Sequence, residues 1–168
     1  LSNVPIFSDL DAETLDKIAK SGVLQSYKKN IVVLSEEDAG SALFVIAEGK
    51  VKISRSSNDE KEVILAILNE SDFFGEMSLL DGMARSATVT AVEDSKLFII
   101  QRAEFLDLLK KFPDVSVALL TELTKRLRSA TMKIKALSLK DAEGKVATVL
   151  LQLADDVGKI RQGVVEID

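Results

Sequence analysis

The sequence predicts a mainly β fold with helices, in the α+β class: a small antiparallel barrel or roll, with a short helix before it and a long one after it. Three observations carry this. Between Gly22 and Ile100 the apolar residues come in strand-length runs at roughly 8–12-residue spacing, separated by turn residues. After Gln101 the apolar period lengthens to that of a helix. The chain has 168 residues, 46% of them hydrophobic, enough for one domain with a real core and an appendage.

The elements follow in order. Asp11 is placed to cap a helix over Ala12–Lys20, with Leu15, Ile18 and Ala19 on one face and Leu10 clipping onto Leu15 as a staple. The strand-like runs are Ile31–Leu34, Leu43–Ala47, Val51–Ile53, Val63–Leu68, Ala87–Ala91 and Leu97–Ile100. Turn-rich stretches such as Glu37-Asp38-Ala39-Gly40, Glu48-Gly49 and Asp81-Gly82 break them apart. A helix from about Pro113 to Ser138 would be roughly 39 Å long at 1.5 Å per residue, more than a small roll can cover. Along it Leu120, Leu127 and Ile134 share one heptad position, and Leu123, Ala130 and Leu137 fall three residues later each time. That pattern fits a seam for a second copy or a helix packed on its own domain; the excess length favours the dimer. The outer positions Lys125, Arg128, Lys133 and Lys135 read as a solvated face rather than a nucleic-acid surface. Asp141 is placed to cap a further helix, with Val146, Val149, Leu150 and Leu153 on one stripe. Val164, Val165 and Ile167 then look like the first strand of a further unit. A start at Leu1 and an end at Asp168 suggest a piece of a longer protein. The expected division is residues 1–111 for the roll with its flanking helices, 112–138 for the long helix and 139–168 for the start of another domain.

Composition removes several classes of function. The chain has no cysteine and no histidine, so a disulfide framework, a thiolate metal site, a cysteine nucleophile and the commonest base and metal ligand are all excluded. The net charge of −5 argues against a chain that coats nucleic acid as a whole. Apolar runs such as Val63–Leu68 are too short to span a bilayer, and nothing at the N-terminus reads as a signal peptide, which makes the cytoplasm the default.

The stretch Phe73-Phe-Gly-Glu-Met-Ser-Leu-Leu-Asp-Gly-Met-Ala-Arg-Ser-Ala-Thr-Val89 carries the candidate chemistry. Phe73–Gly75 ends a strand, and Glu76 to Leu80 form about one helical turn whose first N–H groups, at Glu76, Met77 and Ser78, lack partners within the turn. Gly75 has no Cβ and lets a ligand approach the backbone. Arg85, returning after the turn, offers a fork of donors suited to phosphate, and Ser86 and Ala87 add a hydroxyl and an amide. Glu76 cannot face that phosphate, because two like charges about 4 Å apart repel by a few kcal/mol at an effective dielectric near 20. A carboxylate only accepts hydrogen bonds, so its target is a hydroxyl, and a sugar phosphate meets both demands. Glu76 and Arg85 can also simply pair with each other on a surface turn.

Phe74-Gly-Glu-Met-Ser-Leu-Leu with Arg85-Ser-Ala-Thr-Val resembles the phosphate-binding cassette of cyclic-nucleotide-binding domains. The order of parts resembles the bacterial cyclic-AMP receptor protein and fumarate–nitrate regulator family over essentially the whole chain. The resemblance implies a double-stranded β-helix roll followed by a dimerisation helix, and a sensor rather than an enzyme. It implies Glu76 on the ribose 2′-hydroxyl, Arg85 and Ser86 on the cyclic phosphate, Gly75, Met77, Ser78 and Ala87 around them, and Ile53 and Leu65 as pocket walls. Two hydroxyl residues of the long helix contact adenine in the cyclic-AMP receptor; the matching places here are Ala130 and Thr131, so one hydroxyl is lost. The family also holds haem and iron–sulfur sensors that bind metal through histidine or cysteine, and this chain has neither. A cupin enzyme, also a small roll, needs metal-binding histidines. The expectation is therefore a homodimer with a cyclic nucleotide, most simply cyclic AMP, as effector, no cofactor or metal, and a DNA-reading helix-turn-helix domain beyond this chain. The alternatives are a cyclic-nucleotide module with a non-transcriptional output and a dimeric relative that has lost its ligand.

Overall fold

The computed structural model describes residues 1–56, 62–139, 159–161 and 164–166, with side chains for 1–56 and 62–135. Two compact units result, Leu1–Leu120 and Thr121–Asp168.

In the first unit, helix α1 (Ala12–Ser21) begins where Asp11 accepts from the Thr14 N–H at 2.8 Å and from the Thr14 hydroxyl at 3.1 Å. Its buried residues are Thr14 and Ile18, whereas Ala19, predicted on the same face, is exposed. With its hydroxyl satisfied by Asp11, Thr14 can be buried one turn before Ile18, and that stripe turns Ala19 outward.

Eight strands follow: β1 (Val23–Tyr27), β2 (Val32–Leu34), β3 (Ala42–Glu48), β4 (Val51–Ser56), β5 (Glu62–Leu68), β6 (Phe73–Phe74), β7 (Thr88–Ala91) and β8 (Ser95–Gln101). Helix α2 (Glu76–Asp81) separates β6 from β7, and α3 (Arg102–Lys111) and α4 (Pro113–Leu139) follow β8. The strands form two antiparallel four-stranded sheets, in the orders β1-β8-β3-β6 and β2-β7-β4-β5. Among these eight strands only β4 and β5 are neighbours both in sequence and in a sheet; every other step carries the chain to a different place, which is jelly-roll winding. The six predicted strand runs are all present, most extended by a residue or more, and β1 is an addition to them.

The core lies between the sheets. Ala42, Phe44, Ile46, Val51, Phe74, Val89 and Leu97 form one buried cluster. Phe44 and Phe74 face each other in register across β3 and β6, their rings stacked at 5.1 Å and 8°. Strand β3 is buried at every position from Ala42 to Ile46, because α2 and α3 lie against it on the side away from that cluster.

Helix α4 buries Val115 and Leu119 in the first unit, while Leu120 is exposed. In the second unit Leu123 is half-buried, and Leu127, Ala130, Thr131 and Ile134 are exposed. Lys125 pairs with Glu122 at 3.2 Å, and Arg128 and Lys135 are exposed. The side chain of Leu137 and the helix predicted over residues 141–153 lie outside the described residues. Strand β9 (Lys159–Arg161) pairs antiparallel with β10 (Val164–Glu166), which contains the predicted Val164 and Val165. Among the described residues no helix is long and apolar enough to cross a membrane.

Candidate functional site

Sheet geometry builds the site. Strand β6 is the edge of its sheet, and directly after it Gly75 takes φ +86°, swinging the chain off the edge and into α2. Gly82, at φ +73°, ends α2 the same way. The chain then runs back past residues 37–39: Ala84 bridges Ala39, the Arg85 N–H donates to the Asp38 carbonyl at 2.8 Å, and the Glu37 N–H donates to the Arg85 carbonyl at 3.0 Å. Backbone on both sides therefore fixes Arg85 before its side chain is considered.

That side chain turns inward. Arg85 is 5% exposed and Glu76 4%, so the two do not lie on an exposed surface turn. Arg85 Nη1 donates to the Gly75 carbonyl at 2.7 Å and to Ser78 Oγ at 2.8 Å, and Nη2 donates to the Ala42 carbonyl at 2.8 Å. The guanidinium carbon sits 5.8 Å from the centre of the Phe44 ring. Burial pushes the Arg85 pKa down, and the negative charges of Glu76 and Asp38 oppose that shift. A guanidinium stays charged regardless. Its Nε is buried with no hydrogen-bond partner, although nearly all buried donors in native proteins have one. The arrangement is a fixed cation, immobilised by three protein acceptors, with a donor to spare.

Of the residues named from the sequence, Gly75, Glu76, Met77 and Ser78 lie at the start of α2, and Arg85, Ser86 and Ala87 lie on the return. Arg85 joins Gly75 and Ser78 directly. Ser86 is exposed, its hydroxyl 3.7 Å from the Met77 sulfur, and Ala87 is half-buried. Ile53 lies on β4, opposite Val89 of β7. Leu65 lies on β5 where the register slips, since Ile53 faces Ala66 while Ser54 faces Ile64. Thr131 belongs to the second unit, and its hydroxyl donates to the Leu127 carbonyl at 2.9 Å.

Sequence reasoning missed several supports. Ser78 enters through its hydroxyl, not only its backbone, and Ala42 through its carbonyl. Gly40 sits so close to Ser78 that a Cβ there would overlap both the Ser78 hydroxyl and its Cβ. The signal was the run of small residues Gly40-Ser41-Ala42 just ahead of a buried strand.

Comparison with known proteins bears on this geometry. Residues 24–112 match the cyclic nucleotide-binding domain family. The chain is 36% identical over 159 residues to the cyclic AMP receptor protein of Thermus thermophilus, covering 95% of this chain and 71% of the relative. It is 29% identical over 167 residues to a CRP-like cAMP-activated global transcriptional regulator of Mycobacterium tuberculosis, covering 99% of this chain and 75% of that protein. Its fold is similar to the crystal structure of the Thermus thermophilus catabolite activator protein, with a TM-score of 0.72 and 29% identity over 98% of this chain and 93% of that one. The sensor domain of the transcriptional regulator DNR from Pseudomonas aeruginosa gives a TM-score of 0.68 and 29% identity over 82% of this chain and 93% of that one. These relatives are regulators, and with Glu76, Ser78 and Arg85 buried in the cassette the chain belongs to the cyclic nucleotide-binding domain family, in the cyclic AMP receptor protein group.

Proposed function

We propose that this chain is the sensing part of a bacterial transcription regulator with cyclic AMP as effector. The carrying observation is the buried Nε of Arg85, a charged donor without a partner at the centre of the cassette. In this reading Arg85 and Ser86 take the cyclic phosphate and Glu76 takes the ribose 2′-hydroxyl. Gly75, Met77, Ser78 and Ala87 frame the sugar phosphate, Ile53 and Leu65 wall the pocket, and Thr131 reaches the base. Arg85 is 5% exposed, so the ligand must displace what covers it, and binding is coupled to movement of the cassette.

The seam of Leu120, Leu123, Leu127, Ala130, Ile134 and Leu137 dimerises the chain in this reading. Support comes from the solvent exposure of Leu120, Leu127 and Ile134, at 63%, 68% and 65%, on a helix of 27 residues. Nucleotide binding shifts the packing of that seam, and the shift passes to a helix-turn-helix domain in a cytoplasmic protein. In this reading the functional parts are residues 1–111, 112–138 and 139–168.

A second reading, a dimeric relative without a ligand, rests on the three protein acceptors that already hold Arg85 and on Ala130 in place of a hydroxyl residue. Calorimetric titration of the 168-residue chain with cyclic AMP and cyclic GMP separates the two. Saturable heat with cyclic AMP supports the sensor; no heat with either nucleotide leaves the ligand-free relative.

A further inference from the structure

Arg85 and Ser86 are adjacent in the cassette, and the protein holds them very differently. Arg85 gives its fork to three protein oxygens at 2.7, 2.8 and 2.8 Å. Among the described residues the Ser86 hydroxyl donates only to the Met77 sulfur, at 3.7 Å. A thioether is a weak acceptor, so this hydroxyl is readily given up to an incoming phosphate oxygen. Whatever strengthens the acceptor at Met77 ties Ser86 down.

Met77 is open to such a change. It is 52% exposed, because its neighbours Glu76 and Ser78 fill the inward face of α2. The chain has three methionines and no cysteine, so thioethers are its only sulfur and its readily oxidised groups. Met83 and Met132 are also exposed, at 69% and 65%. Among the described residues only Met77 has its sulfur within hydrogen-bond reach of a cassette side chain.

We propose that Met77 is a reversible oxidation site whose sulfoxide captures the Ser86 hydroxyl and so weakens cyclic-nucleotide binding. The oxidant is a hydroperoxide. A lone pair of the Met77 sulfur attacks one peroxide oxygen, the O–O bond breaks and an S–O bond forms, and the other oxygen leaves as water or alcohol, keeping the proton. Sulfur loses two electrons and the peroxide gains them. The new oxygen is a strong acceptor where the thioether was a weak one, and it carries partial negative charge toward the place of the phosphate. Ser86 then stays with Met77, and the anion loses a donor. A methionine sulfoxide reductase fed by a dithiol reverses the change, the oxygen leaving as water while the dithiol becomes a disulfide. The switch rests on the proposed contact of Ser86 with the cyclic phosphate; the capture of Ser86 by the sulfoxide does not.

The test uses the 168-residue chain beside Met77→Leu, which removes the site, and Met83→Leu/Met132→Leu, which leaves Met77 as the one methionine. Leucine conserves the volume of methionine. Each chain is compared with itself before and after hydrogen peroxide, with oxidation followed by peptide mass, cyclic AMP affinity by calorimetry and the nucleotide-free chain by backbone amide NMR. Oxidation should lower the affinity of the parent and of the double variant about ten-fold or more, and reductase with dithiothreitol should restore it. Met77→Leu should keep the affinity it had before treatment. Without nucleotide, the amides of Ser86 and Ala87 should move on oxidation of the double variant and stay in place in Met77→Leu. A Met77 that resists peroxide while Met83 is converted, an unchanged isotherm once Met77 is oxidised, an equal loss in Met77→Leu, or unmoved Ser86 and Ala87 amides overturns the assignment. An untreated parent chain that gives no isotherm overturns the sensor and the switch together, and the amide shifts still decide the bond between the sulfoxide and Ser86.

Discussion

Arg85 Nη1 donates to the carbonyl of Gly75 at 2.7 Å, closing a loop in which the cation of the cassette holds the residue that starts it. Gly75 tolerates this closeness only because it lacks a side chain: a Cβ there would lie 2.7 Å from Nη1 and 3.1 Å from the Ala42 carbonyl oxygen, on a backbone at φ +86°. The guanidinium is thus a structural tie as well as the proposed ligand contact, and substitutions here affect both stability and binding.

Replacing Arg85 with Ala should lower cyclic-nucleotide affinity by about 30- to 1000-fold, or about 2–4 kcal/mol. It should also destabilise the roll, since the Gly75 and Ala42 carbonyls and the Ser78 hydroxyl lose their donor together. Arg85→Lys keeps the charge but not the planar fork, and should recover only part of either loss. Calorimetry read beside thermal melts separates the two effects, and an unchanged isotherm for Arg85→Ala places the pocket elsewhere.

Gly40→Ala should behave as a cassette variant although Gly40 contributes no donor or acceptor side chain. The new methyl overlaps the Ser78 hydroxyl, which must move and release Arg85 Nη1. Overpacking of this kind costs about 1–3 kcal/mol. Nucleotide affinity should fall with it, whereas Ser78→Ala, which removes one acceptor and adds no bulk, should cost about 0.5–1.5 kcal/mol. Equal stability of Gly40→Ala and the parent chain would contradict the close approach described here.

Stability should be lost in acid and change little between about pH 5.5 and 8, where a chain without histidine has no imidazole to titrate. Hydrogen bonds from the Thr14 N–H and hydroxyl hold the Asp11 carboxyl below its ordinary value; Lys52 and Ser54 do so for Glu62, and Lys28 with the Lys29 N–H for Asp94. When the folded value is depressed, the unfolded chain takes up protons first as pH falls. The stabilisation is thus present above about pH 4–4.5 and disappears as pH drops through the folded values. Asp11→Asn keeps a capping side chain with no proton to gain, and should flatten the acid limb of Tm against pH. A Tm constant down to pH 3 in the parent chain would count against all three carboxylates.

Leu127→Glu should convert a dimer to a monomer in sedimentation velocity, because it places a charge in the middle of the exposed apolar seam. The roll should keep its melting behaviour in the monomer, as its core residues lie before Thr121. A parent chain that sediments as a monomer at tens of micromolar would remove the dimer from the proposed function.

Much of the roll was legible because its inner strands are strongly apolar: Leu43 to Ile46 and Leu97 to Ile100 leave little choice. Strand β1 was not, because Val23 to Ser26 are all exposed and show no alternation between a wet and a dry face. Its place is set by pairing with β8, from Val23 opposite Ile99 to Tyr27 opposite Ser95, which is a tertiary fact. In the cassette, residue types pointed to Gly75, Glu76 and Arg85. The supports from Gly40, Ala42 and Phe44 lie more than thirty positions earlier, and only winding of the sheets brings them to Arg85. On α1, the exchange of Ala19 for Thr14 in the buried stripe followed from a local bond to Asp11 that outweighs the hydroxyl's preference for water.

The pairing of β1 with β8 also governs how the chain can be made. The first strand of its sheet finds its neighbour only after the seventy-odd residues between Tyr27 and Gln101 have been synthesised, and β3 likewise waits for β8 on one side. A nascent chain emerging from the ribosome therefore holds Val23 and Leu24 unpaired, and one edge of the Phe44 strand open, until Gln101 is clear of the exit tunnel. Such distant closure slows folding and leaves sticky edges open during translation, the period in which a chaperone has most to shield.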